Sequence, residues 1–517
     1  MEKINIHFSK RMKNIALFTL FFMVTMHAYR YFSPLFSHDS MQFSAIGERE
    51  AQIALGRFMQ PIYWKLRGRI GAPYIVGMFS YLWVMLSAYI VSKLLDIRSN
   101  MGQFLLSGVM VGSLALTAAN ATYINWADIF MLSLLLNVLA AYLLLKPVKR
   151  LWIFAPVLLV TALALYQAYV QVYVALVMIW AIRQIMVGED NCLRRILLQC
   201  VKSAALLLLS MVIYAVIWKY ILKMTGVSPA GGYNGLTDVG HYEKGTVLSL
   251  LKGTLAYPFQ YLWGIKCQNY WMVLIARIAV LMYAVGATVY ALAKRKHSVP
   301  EAVIVFGIIA LLPAGINCMY IVSKGLIHDL VVYSYCFADV YAIAVTEYAF
   351  GLIDWEQKRP VLVRMKKSII CVFPLMFCLI FMDKVLYANQ MYLKKDLEQD
   401  STLSVMTRVI DRLEQLEGYE AGITPVVLNG RLGSSVLDQD RPAFAGAKAV
   451  TGLEANFAVT YSSTYWTYFR DMLGYPIVQA EEAERIARQE AVAAMPCFPE
   501  KGSVALVDGV AVVKLSD

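Results

Sequence analysis

One stretch of this chain carries residue types that could do chemistry together. Asp39 stands in Ser37-His38-Asp39-Ser40, Glu48 follows, and Arg57 stands in Gly56-Arg57-Phe58. All fall within 34–72, between two apolar runs, alongside Arg49, Glu50, Lys65, Arg67 and Arg69. A carboxylate there can take the proton from an attacking hydroxyl. Neighbouring cations can stabilise negative charge that develops on a departing group. The combination suits transfer of a sugar from a lipid phosphate: Asp39 would accept the acceptor's proton as that oxygen attacks the anomeric carbon. Arg57, with Arg67 and Arg69, would hold the phosphate. A divalent cation such as Mg or Mn could supply the charge instead. The structural alternative is that Asp39 caps a loop and the arginines snorkel to lipid headgroups.

Other residues extend the candidate site. Asp128, in Asn125-Trp126-Ala127-Asp128, and Glu48 are candidate second acids. A carboxylate near a helix start is equally explained by the macrodipole. Tyr166, Gln167 and Gln171 fall at a turn between apolar runs and could hydrogen-bond a sugar or acceptor. His241 and Lys244 in 222–270, and His328 near Lys324, could reach a phosphate or be ordinary solvated loop residues. Asp339 lies inside an apolar run. Such a group is costly in lipid and marks either a pathway or a structural pair, here with Arg277.

The elements that must position these residues are membrane helices. The chain is 59% hydrophobic with a mean hydropathy of +0.57 and only 16% charged residues, less than a soluble domain carries. The net charge of +12 is scattered through short loops, which speaks against nucleic acid. Counting runs of ~20 apolar residues predicts about eleven spans: 14–33, 73–95, 103–122, 127–145, 151–166, 168–187, 196–221, 271–293, 299–321, 328–350 and 367–388. Basic loops alternate along this order, so the positive-inside rule places the N-terminus in the cytoplasm and the C-terminus outside. The long loops 34–72 and 222–270 are then outer ones. Within the first, Ala51, Ala54, Leu55, Phe58, Met59 and Ile62 recur at helical spacing, which predicts one amphipathic helix in the interface plane.

Residues 389–517 have the composition of a small soluble α/β domain, separate from a membrane domain over 1–388. The pattern predicts helices over Ser401–Leu416 and Ala480–Ala494, a strand over Ile423–Leu428, and a hairpin over Val504–Leu515 turning at Asp508-Gly509. Eight cysteines show no metal-ligand spacing, and Cys267 with Cys497 is the one pair placed to meet an oxidising compartment. The fold class expected is an all-α polytopic membrane protein with a small C-terminal α/β domain.

Arg30-Tyr31-Phe32, His38-Asp39-Ser40, Gly56-Arg57-Phe58 and Leu165-Tyr166-Gln167-Ala168-Tyr169 together resemble the bacterial type II glucosyltransferases, serotype-converting membrane enzymes. Thr424-Pro425-Val426-Val427, Met495-Pro496 and Val512-Val513-Lys514-Leu515 resemble that family's tail. The resemblance implies a fold of the GT-C type, an acid in the first outer loop at Asp39, and an inverting displacement. It also implies a polyprenyl-phosphate sugar as donor and a cell-surface glycan or lipid-linked acceptor. A donor flippase and a polyprenyl-phosphate glucosyl synthase would be partners. Phe58 replaces the tryptophan usual after the Gly-Arg pair. The rival readings are a secondary transporter or lipid flippase using Asp339, and an enzyme that polymerises or ligates glycan repeats.

Overall fold

The computed structural model describes residues 9–41, 49–68, 71–146, 150–188, 192–231, 244–262, 266–353, 364, 367–444, 448–460 and 462–517. Its first half is built from α1 (Lys10–Phe32), α2 (Arg49–Ala54), α3 (Gln60–Arg67), α4 (Pro73–Leu94), α5 (Asn100–Val111), α6 (Leu114–Thr122), α7 (Ile124–Leu145), α8 (Ala155–Leu165) and α9 (Val170–Val187). There follow α10 (Cys192–Thr225), α11 (Lys244–Leu262), α12 (Tyr270–Lys294), α13 (Val299–Ile316), the single turn α14 (Met319–Val322), α15 (Phe337–Gly351) and α16 (Phe373–Glu414).

Among the described residues, nine helices are long and apolar enough to cross a membrane. The pair α5 and α6, bent by 42°, makes a tenth if it is counted as one broken span. The remaining expected span is the shorter apolar stretch Leu151–Leu165. Helices serve here because hydrocarbon offers backbone amides no partner, so each must be satisfied within its own segment. The run expected as one span over 103–122 is broken at Gly112-Ser113. A Cβ at Gly112 would meet the Gly108 carbonyl at 2.9 Å and the Lys384 side chain at 3.6 Å, so the close approach there needs glycine.

The basic loops gather at one end of the bundle. There Lys146 Nζ donates to the Lys93 carbonyl (2.6 Å), Arg183 pairs with Asp96 (3.4 Å), and Glu347 accepts from the Ser99 amide (2.8 Å). The segment Asp329–Gly351 runs through the bundle interior: Leu330, Tyr333, Tyr335, Phe337, Val340 and Ile343 are all buried. α10 instead turns Leu208, Val212, Val216 and Tyr220 outward, the surface a lipid-facing helix presents.

At the opposite end sits the C-terminal domain. Its sheet has the order β2-β1-β4-β3, with β1 (Pro425–Asn429) parallel to β2 (Val478–Gln479) and to β4 (Val510–Lys514), and β3 (Val504–Val507) antiparallel to β4. The hairpin turns at Asp508-Gly509, both with positive φ (50° and 77°), as a two-residue loop of this type requires. Two expectations are corrected. Ser401–Leu416 is not a separate helix but the far end of the 42-residue α16, which carries the last span into the domain without interruption. The helix expected over Ala480–Ala494 is two single turns, Ala483–Ala487 and Glu490–Ala493, with Gln489 extended between them. No disulfide joins Cys267 to Cys497 among the described residues.

Candidate active site

The loop after α1 is fixed from below. Arg30, fully buried, donates from Nε to the Asn120 carbonyl (2.7 Å) and from its two other nitrogens to the carbonyls of Ser33 (3.1 Å) and Leu35 (2.7 Å). A guanidinium serves because three carbonyls converge on one side chain. Beyond it, Ser40 Oγ accepts from the Ser37 amide (2.8 Å), and Ser37 Oγ donates to the Thr122 carbonyl at the end of α6. The Phe36 amide donates to Gln399 of α16 (2.8 Å), and Met41 is buried in the core of the C-terminal domain. Asp39 therefore rides on a short, well-anchored turn. Its carboxylate lies 3.4 Å from His38 Nε2, and the Asp39 side chain is 41% exposed.

The segment carrying Arg57 corrects the amphipathic helix. It is two short helices, α2 and α3, and the residues that bury are Gln52, Ile53, Gln60 and Trp64 rather than the predicted stripe. The break falls at Gly56 (φ 77°), where a Cβ would strike Tyr214 Oη at 2.1 Å and Gln167 Nε2 at 2.9 Å. Neighbouring carbonyls and amides are taken up by other helices. Trp218 donates to Ile53 (2.7 Å), Gln167 to Leu55 (2.7 Å) and Tyr214 to Gly56 (3.0 Å), while the Met59 amide donates to Ala164 (3.1 Å). This stitching sets the Arg57 guanidinium 5.2 Å from the centre of the Tyr166 ring.

Arg57, Tyr166, Gln167 and His328 line one small cavity of about 60 Å³, together with Leu55, Met319 and Val331. Among the described residues, His328 Nδ1 is buried there with no hydrogen-bond partner. Burial holds the His328 imidazole below its ordinary value; Asp329 opposes that, and Arg57 and Lys266 reinforce it. The cavity thus offers a cation, a stacking face and an unsatisfied imidazole nitrogen, a set suited to a phosphate. Asp39 does not line it but lies at the same end of the bundle.

Arg67 and Asp128 are placed elsewhere. Arg67 Nη1 lies 2.7 Å from Asp128 Oδ1, and Tyr63 Oη donates to Asp128 Oδ2 (2.9 Å). Both charged side chains are almost fully enclosed, at 2% and 0% exposed. Burial raises the Tyr63 hydroxyl well above its ordinary value, so it remains a donor. This pair anchors α3 to α7, apart from the Arg57 cavity. Glu48, Arg69 and His241 lie outside the described residues, as does the side chain of Lys244. Asp339 accepts from Arg277 Nη1 through both oxygens (3.1 and 3.0 Å), the pairing expected from the sequence.

Sequence reasoning missed Asp329, Lys266 and Thr451. Asp329 follows His328 directly, and its Oδ2 accepts from Lys266 Nζ (2.7 Å), the Thr451 amide (2.7 Å) and Thr451 Oγ1 (3.1 Å). A carboxylate opening an apolar run is a signal that could have flagged Asp329, as it did Asp128. Thr451 carries none, because its role depends on the C-terminal domain folding back onto the bundle. Among the described residues, no three His, Cys, Asp or Glu side chains are grouped to hold a metal ion.

A family model described as Glucosyl transferase GtrII matches residues 28–346, more than half of the 517. The matched region includes Arg30, Asp39, Arg57 and Tyr166, and it ends before the Thr424-Pro425 tail. No curated protein and no solved structure matches.

Proposed function

The chain belongs to the GtrII glucosyl transferase family, and we propose that it moves a glucose-type sugar from a polyprenyl phosphate to a cell-surface glycan or lipid-linked acceptor. The reaction takes place at the outer face of a bacterial cytoplasmic membrane, with the C-terminal domain on that side. Asp39 takes the proton of the acceptor hydroxyl as its oxygen bonds to the anomeric carbon. The bond from that carbon to the phosphate oxygen breaks, and the polyprenyl phosphate leaves with the electron pair into the Arg57 cavity. The observation that carries this reading is the meeting of Arg57, His328 and Tyr166 in one cavity at the end of the bundle where Asp39 is exposed. An inverting displacement needs base and leaving group on opposite faces of the sugar, and a base outside the phosphate cavity is compatible with that arrangement. A flippase and a polyprenyl-phosphate glucosyl synthase would supply the donor.

The test uses purified full-length protein in lipid with a defined polyprenyl-phosphate sugar and acceptor. Asp39→Asn should leave donor binding unchanged while turnover falls by about 10² to 10⁴, the usual cost of losing a general base. Arg57→Ala should weaken donor binding, and Arg57→Lys should recover only part, because a point charge does not replace a guanidinium fork. Wild-type turnover in Asp39→Asn would remove Asp39 from the role.

A further inference from the structure

The segment Val450–Leu453 of the C-terminal domain lies between the two halves of the site. Val450 and Leu453 are fully buried in the core of the membrane bundle. Thr122 Oγ1 donates to the Thr451 carbonyl (2.9 Å), and the carbonyl of the same Thr122 accepts from Ser37 in the Asp39 turn. Gly452 has a φ of 84° and touches Thr122 so closely that a Cβ would lie 2.4 Å from its methyl group. On its other side Thr451 gives two hydrogen bonds to Asp329 Oδ2, and the Asp329 amide returns one to Thr451 Oγ1 (3.1 Å). One residue thus ties the base-bearing turn to the carboxylate beside His328.

Asp329 also holds Lys266, whose side chain is 22% exposed while that of Asp329 is 6% exposed. An ammonium has three N–H donors, and among the described residues Lys266 uses one of them. Thr451 already satisfies Asp329 Oδ2 twice, so the lysine is held in position without being consumed. His328 lines the cavity and directly precedes Asp329 in the chain, so the Lys266–Asp329 pair stands one residue from the cavity wall.

We propose that Lys266 is the second cation of the donor-phosphate site, positioned by Asp329, which the C-terminal domain clamps through Thr451. This rests on the sugar-transfer reading above. The charge balance of that reaction gives Lys266 a distinct task. The donor is a phosphodiester with one negative charge, which Arg57 can match. The departing polyprenyl phosphate is a monoester that gains a second charge as the bond breaks and keeps most of it at pH 7, since its second pKa is near 6. A second cation acts chiefly on that added charge.

The experiment compares binding of a polyprenyl phosphate bearing no sugar with binding of the sugar-loaded donor, in lipid at pH 7.5. Lys266→Met should weaken the sugar-free phosphate roughly ten-fold, the effect of about 1.4 kcal/mol, while donor affinity stays within about two-fold. Turnover should fall with the former, and Lys266→Arg should restore it. Thr451→Val should move the same ratio in the same direction, and Lys266→Met/Thr451→Val should be no worse than Lys266→Met alone. If Lys266→Met does not accumulate, Lys266→Gln, which still donates to Asp329, answers the same question. Equal loss for both lipids, or no loss, would overturn the proposal. Failure of the sugar-transfer reading itself would look different, since wild type would then transfer no sugar from the donor to any acceptor.

Discussion

Arg67 and Asp128, 61 residues apart in sequence, form a buried ion pair at 2.7 Å that ties the short helix beside the Arg57 loop to α7. Removing one partner of such a pair strands a charge and typically costs about 3–5 kcal/mol, whereas replacing both with apolar residues is often tolerated. Arg67→Met and Asp128→Asn should each lower thermal stability and membrane abundance sharply. Arg67→Met/Asp128→Leu should recover much of that loss. If Arg67→Met leaves stability intact and abolishes donor binding instead, Arg67 is a phosphate ligand.

If His328 faces the donor phosphate as proposed, donor binding should depend on pH. Its folded pKa is depressed, chiefly by burial, below the ordinary 6.5. Between those two values the unfolded chain binds more protons than the folded one, so stability rises with pH through this window and is lost as pH falls. A bound phosphate acts oppositely, because it favours the imidazolium. Donor affinity should therefore rise as pH drops from 7 toward 5.5, while the melting temperature of the unliganded protein declines. His328→Gln should flatten the affinity profile, measured by titrating donor at fixed salt.

Arg277 and Asp339 give a contrast with transport. Both oxygens of Asp339 are engaged by one guanidinium nitrogen, so Asp339→Asn should act on folding through a stranded Arg277. Abundance should fall while sugar transfer per folded molecule persists. Loss of function at normal abundance, with Asp39→Asn still active, would favour a transporter using Asp339.

The sidedness of the bundle can be read with a reporter joined after Gly422, in the exposed turn between α16 and β1. Activity is expected only outside the cytoplasm. A cytoplasmic signal would place Asp39 and the Arg57 cavity on the inner face and end the outer-face assignment.

Much of the architecture was legible because hydropathy is local: a run long enough to cross hydrocarbon must be a helix whatever surrounds it. The alternation of basic loops and the Asp508-Gly509 hairpin are likewise properties of contiguous residues. The motifs around Arg30, Asp39, Arg57 and Tyr166 pointed to a family, and the matched family model spans them. Tertiary structure decided how those residues are used. Gln167 was expected to touch a sugar, and its amide holds the Leu55 carbonyl and Tyr214. The stripe from Ala51 to Ile62 had helical spacing, but Gly56 breaks it where Tyr214 leaves no room for a side chain. Asp128 is paired with Arg67, and Asp329 with Lys266 and Thr451, across 61 to 122 residues of sequence. A charge can be read from its neighbours in the chain, but its partner depends on which helix ends packing brings together, and no local pattern encodes that meeting.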